Sequence, residues 1–113
     1  MDFKSGDFRI VGRKLRVYNE DLAHRLSSEG FGKMKKGRLE LELEEAAYLI
    51  EHKKIPLDLF SFLKEAAGIE KGIEDRAMVY IELRKRGYRA RPGAVLSAVR
   101  GERSIKVRVY SLR

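Results

Sequence analysis

The chain has 113 residues and a formal charge of +8, with 37% of its side chains charged, which allows one ordinary domain or two very small ones that lean on each other. Cys is absent and the only histidines are His24 and His52, so disulfides, thiolate metal ligands and Cys nucleophiles are excluded, and no clustered third group completes a metal site. No apolar run approaches the length of a membrane span and the opening MDFKSGDFRIVGRK lacks the core of a secretion signal, so a cytoplasmic protein with no membrane association is expected.

Gln is missing and Asn occurs once, at Asn19. High charge with few amides is the profile of a protein from a hot environment, which makes a thermophilic source the expectation. Charge is unevenly placed. Residues 1–73 hold 14 basic and 13 acidic side chains, whereas residues 74–113 hold 11 basic and 4 acidic. Charge alone leaves two readings open for the second segment: a surface for a polyanion or acidic partner, or a solvated Arg-rich face.

In chain order, Phe8–Val11 and Lys14–Tyr18 alternate apolar and basic residues around Gly12-Arg13, which predicts a hairpin with one buried face. Asn19 is placed to cap a helix over 20–29, with Glu20 and Asp21 in its first turn and Gly30 as its stop. A basic turn, Lys35-Lys36-Gly37, leads to a strand in which Leu39, Leu41 and Leu43 share one face. From Glu44 the spacing turns helical through Ala46, Ala47, Leu49 and Ile50, until Lys53-Lys54 and Pro56 end it. Leu57 to Ala67 predicts a third helix with Leu59, Phe60, Leu63 and Ala67 inward. Residues 69–73 read as a link, and a fourth helix is expected over 74–87 with Ala77, Tyr80, Ile81 and Leu83 inward and Met78 beside them. Tyr88–Arg91 reads as extended, Pro92-Gly93 as a turn, and 94–99 with 105–112 as a closing hairpin around 100–104.

Mixed elements without βαβ alternation define an α+β fold. The expected division is an N-terminal α+β domain over residues 1–70 and a C-terminal segment of one helix and a β-hairpin over residues 74–113.

Two stretches resemble the archaeal tRNA-intron (tRNA-splicing) endonucleases. Leu22-Ala23-His24-Arg25-Leu26-Ser27-Ser28-Glu29-Gly30-Phe31-Gly32-Lys33, then Leu39–Leu43 and Glu45-Ala46-Ala47-Tyr48-Leu49-Ile50, is similar to that family's N-terminal domain. There a helix ends in a Gly-aromatic-Gly-Lys turn, and a Leu strand runs into an EAxYLxE helix. Met78-Val79-Tyr80-Ile81-Glu82-Leu83-Arg84-Lys85-Arg86-Gly87-Tyr88 resembles the opening helix of its catalytic domain, a YxxLRxRGY pattern.

The resemblance implies RNA cleavage without a metal or other cofactor, through a Tyr, a His and a Lys on the C-terminal domain. That chemistry needs a group exchanging protons near neutral pH, yet no His follows His52. The final segment aligns in two ways, as the strand ending in the catalytic Tyr, here Tyr110, or as the family's closing hairpin; neither completes the triad. No catalytic residue is therefore assigned. The resemblance implies a reduced, non-catalytic structural subunit that joins a catalytic subunit bearing the triad. The assembly would be a two-plus-two heterotetramer gripping the bulge-helix-bulge of precursor tRNA. Arg84, Lys85, Arg86, Arg89 and Arg91 are the candidate RNA contacts. Ile105, Val107, Val109, Tyr110 and Leu112 are the candidate subunit interface, on a strand edge suited to pairing. The loop 100–104 holds one Glu against two Arg, unlike the acidic loop the family docks in a partner's cleft. The alternative is a stand-alone basic RNA-binding module, in which Lys33, Lys35 and Lys36 also meet phosphate.

Overall fold

The computed structural model describes residues 6–92 and 95–108. Its elements are β1 (Phe8–Val11), β2 (Lys14–Val17), α1 (Glu20–Ser28), β3 (Lys33–Lys35), β4 (Arg38–Glu42), α2 (Leu43–Glu51), α3 (Leu59–Ala67), α4 (Ile73–Lys85), β5 (Arg89–Arg91), β6 (Val95–Arg100) and β7 (Arg103–Arg108). They form an antiparallel sheet in the order β1-β2-β4-β3 and a second, smaller one in the order β5-β6-β7. The fold is α+β. Among the described residues no helix is long and apolar enough to cross a membrane.

Alternation in β2 and β4 sorts their side chains onto two faces. Leu15 lies opposite Leu41 and Val17 opposite Leu39, and all four are buried. On the other face, Lys14 meets Glu42 at 2.6 Å and Arg16 meets Glu40 at 2.9 Å. Lys35 reaches Glu40 at 3.3 Å. Hydrogen bonds from Lys35 and Arg16 hold the Glu40 carboxyl below its usual range.

α1 starts and stops as its ends require. The Asn19 side chain accepts from the Leu22 N–H at 3.0 Å. Asn19→Ala should cost about 1 kcal/mol, read as a lower denaturant midpoint at unchanged slope. The helix ends with Gly30 at φ +93°, where Gly30 N–H donates to the Ser27 carbonyl and Phe31 N–H to that of Leu26. α4 ends in the same way: Gly87 (φ +85°) donates to Arg84, and Tyr88 to Leu83. In both cases the paired bonds satisfy carbonyls of the last turn and swing an aromatic residue back onto the protein.

Several boundaries differ from the sequence reading. The basic turn is tighter than expected: Lys36 and Gly37, both at positive φ, close a two-residue hairpin in which Lys35 pairs with Arg38, so Lys33–Lys35 becomes a strand. Leu43 is the first residue of α2 rather than the last of a strand, because Glu42 and Glu45 form a reciprocal capping box there. α3 begins at Leu59, since the Asp58 carboxylate accepts from the Ser61 N–H and Oγ–H. Its buried residues are Phe62 and Ala66, flanked by Leu59, Leu63 and Ala67. Phe60, expected inward, is 76% exposed; two residues from Phe62 it lies some 200° around the helix. The last residue of the expected link, Ile73, opens α4 and is fully buried.

Among the described residues there are two apolar clusters. The larger joins β2, β4, α1, α2 and α3 with Ile73, Ala77 and Ile81 of α4. The smaller gathers Tyr80 and Leu83 of α4 with Ala90, Leu96 and Ala98. One helix thus serves both, and Tyr48 packs against both from α2. Met78, expected beside the inward face, is 53% exposed.

Candidate nucleic-acid interface

The second sheet builds its surface by alternation. In β5, Ala90 turns into the smaller cluster while Arg89 and Arg91 stay exposed on either side of it. With Arg84 and Tyr88 they line a groove of about 830 Å³, whose other wall is Ser28, Glu29, Gly30 and Tyr48. Gly30 and Arg91 also line a second groove of about 430 Å³, with Lys14, Lys33, Lys35, Glu40, Glu42 and Glu45. Charge differs between them. In the second groove three carboxylates, Glu40, Glu42 and Glu45, stand among the cations, and Lys14 and Lys35 are held by Glu42 and Glu40; among the described residues no ion pair holds Arg89, or Arg91, which the two grooves share.

The five cations singled out in the sequence therefore have different surroundings. Lys85 bridges to Glu51 of α2 at 2.6 Å, a bond that raises its ammonium pKa above the ordinary lysine value. Arg86 pairs with Glu82 one turn earlier at 2.9 Å. Arg84 is half-buried, its guanidinium carbon 5.0 Å from the centre of the Phe31 ring and 5.1 Å from that of Tyr48. Only Arg89 and Arg91 stand at the groove wall with their heads open.

A contributor missed from sequence is Arg100. It lies over the Tyr88 ring at 5.4 Å and donates to the Arg86 carbonyl at 3.2 Å, so it braces the α4–β5 turn. Nothing in its local pattern marks that role, because its partners come from the end of α4 and the turn that follows it.

The wall opposite the arginines is pinned from below. Glu45 accepts from the Glu42 N–H at 3.0 Å and from the Gly32 N–H at 3.1 Å. One carboxylate therefore starts α2 and anchors the Gly30-Phe31-Gly32 turn. Gly32 sits at φ +65°, where a Cβ would lie 2.5 Å from the Glu40 carbonyl and 2.9 Å from Leu41. Phe31, between these glycines, is held 5.9 Å from Tyr48 in a near-parallel stack.

Neither histidine lines the groove. His24 is exposed on α1, and His52 caps α2 with its ring 4.2 Å from that of Tyr48. Tyr80 is buried, and that burial raises its phenol far above the ordinary tyrosine range, which suits a packing residue and not an acid.

Of the expected interface strand, Ile105 and Val107 are half-buried on β7 and pack partly on the smaller cluster. Val109, Tyr110 and Leu112 lie outside the described residues. β7 is the outer strand of its sheet, so among the described residues its far edge carries unpaired main-chain groups.

Fold and surface together define a class: a small α+β protein with a second, three-stranded sheet that presents arginines along a groove. The family model described as the tRNA intron endonuclease N-terminal domain matches residues 6–62. The tRNA-splicing endonuclease of Methanococcoides burtonii is 36% identical over 91 residues, covering 74% of this chain and 26% of that protein. That of Methanosarcina mazei is 30% identical over 93 residues, covering 76% and 26%. The chain belongs to the tRNA intron endonuclease family. It spans about a quarter of the length of these curated relatives.

Proposed function

We propose that the chain is a non-catalytic, structural subunit of a tRNA-splicing endonuclease. In this reading it joins a catalytic subunit that carries the Tyr, His and Lys triad, two copies of each, and presents its basic groove to precursor tRNA at the bulge-helix-bulge. The observation that carries it is the groove itself: Arg84, Arg89, Arg91 and Tyr88 meet there with no histidine among its lining residues. Arginines bind and orient phosphate but stay protonated near neutral pH, so they supply charge and no proton exchange. Arg89 and Arg91 act as the phosphate contacts.

Assembly in this reading runs through β7. An outer strand with free main-chain groups adds a partner strand by hydrogen bonding, and Ile105 and Val107, with Val109, Tyr110 and Leu112 beyond them, supply the side chains of that seam.

Co-expression with a catalytic homologue tests the proposal. The two chains should co-purify, and intron-bearing precursor tRNA should be cut by the mixture and not by this chain alone. Cleavage by the highly purified chain, or failure to co-purify, would overturn it. Tight, salt-sensitive RNA binding by the chain without any complex would instead favour a stand-alone RNA-binding module.

A further inference from the structure

Three separated motifs converge on one side chain. The Gly30-Phe31-Gly32 turn supplies a ring, the Glu45-Ala46-Ala47-Tyr48 segment of α2 supplies a second, and Arg84 of α4 lies over both at 5.0 and 5.1 Å. The two rings stand 5.9 Å apart with 25° between their planes. Tyr48 is braced in turn by the edge of Tyr80 at 6.2 Å and by His52 at 4.2 Å. Phe31 is held by the Gly32–Glu45 hydrogen bond. Each ring therefore has supports other than Arg84.

We infer that Arg84 is a positioning residue: its guanidinium clamps the β5-β6-β7 sheet onto the N-terminal unit and sets the groove width, and it does not bind phosphate. Both rings belong to the segment before α4, while Arg84 is one turn from Tyr88, where the chain enters β5. A cation over two aromatic faces is attracted by both, more strongly where water is partly excluded. The planar guanidinium stacks on a ring, whereas an ammonium is compact and strongly hydrated. Arg84→Lys thus keeps the charge and loses the clamp.

The consequence for RNA rests on the proposed function, but the geometry can be read without it. The chain has no Cys, so Lys36→Cys and Glu102→Cys, at exposed turns of the first and second sheets, take a pair of spin labels at unique sites. The parent should give one narrow distance distribution, and both Arg84→Lys and Arg84→Met should broaden or shift it. Phe31→Leu, which leaves the charge in place, should act in the same direction and covers the case in which an Arg84 variant fails to fold. An unchanged distribution in folded Arg84→Lys and Phe31→Leu chains overturns the inference.

Precursor-tRNA affinity separates the remaining outcomes. A clamp predicts that Arg84→Lys weakens binding about as much as Arg84→Met does, because the ammonium keeps the charge but loses the stack on both rings. Full affinity in Arg84→Lys with a lost slope of about one in Arg84→Met marks a phosphate contact and overturns the inference. A changed label distance with RNA affinity unaltered in every variant leaves the clamp standing and removes the groove as the RNA site.

Discussion

Gly32→Ala should destabilise the protein by about 3 kcal/mol, combining strain at positive φ with overpacking against backbone. The residue sits at φ +65°, and the added methyl would lie 2.5 Å from the Glu40 carbonyl oxygen, with Leu41 and Leu39 at 2.9 and 3.0 Å. Backbone on one side and core leucines on the other leave no flexible end to move away. For a chain of this size the loss corresponds to a fall in melting temperature of roughly 10–20 °C. Gly12→Ala is the matched control: its φ is +62° but nothing lies within 4 Å of the new Cβ, so only the conformational strain of about 1 kcal/mol applies. Equal losses in the two variants, measured by thermal and denaturant unfolding, would show that contact at Gly32 is not the cause. Because Gly32 also donates to Glu45, a movement of the turn would reach Phe31 and the groove wall as well.

Replacing Arg89 and Arg91 together by Gln should weaken precursor-tRNA binding by roughly 10- to 100-fold near physiological salt and lower the slope of log affinity against log salt by about 1.5–2. Both side chains are exposed on β5, and among the described residues neither is held in an ion pair. Lys85→Gln and Arg86→Gln provide the contrast. Their charges are already committed to Glu51 and Glu82, so the slope should change by clearly less than in the β5 pair. Fluorescence anisotropy across a potassium chloride series gives all these numbers. An unchanged slope in the β5 double variant would remove these arginines from the RNA surface, while leaving co-assembly with a catalytic partner to be judged separately.

Local signals were legible where one answer dominated. Asn19 and Gly30 bracket α1 within a residue, and the Leu39–Leu41 alternation marks β4 because only one face of that strand is apolar. α3 was harder. Leu57, Leu59, Phe60, Phe62 and Leu63 crowd seven positions, so several helical stripes fit equally well. Packing against α2 and α4 selects the stripe with Phe62 and Ala66 at its centre and leaves Phe60 outside. β3 is too short to announce itself: Lys-Met-Lys alternates over only three residues and becomes a strand because the Lys36-Gly37 turn lays it beside β4.

The candidate site divides along the same line. By itself the sequence determined that the cations gather after residue 73, that no histidine follows His52 and that aromatic residues follow the glycines ending α1 and α4. These are properties of composition and short range, and short-range order preserves them. Only the tertiary structure decided which cations are free. Lys85, Arg86, Arg84, Arg89 and Arg91 lie within eight positions and carry the same charge, but Lys85 meets Glu51, Arg86 meets Glu82, Arg84 lies over two rings from other segments, and among the described residues no ion pair holds Arg89 or Arg91. A groove lined by residues 28–30, 48, 84 and 87–91 exists only after α4 has packed on α2 and carried β5 beside the end of α1. Contacts between such distant segments leave no period in the chain, because their energy comes from burial and geometry that arise together on folding.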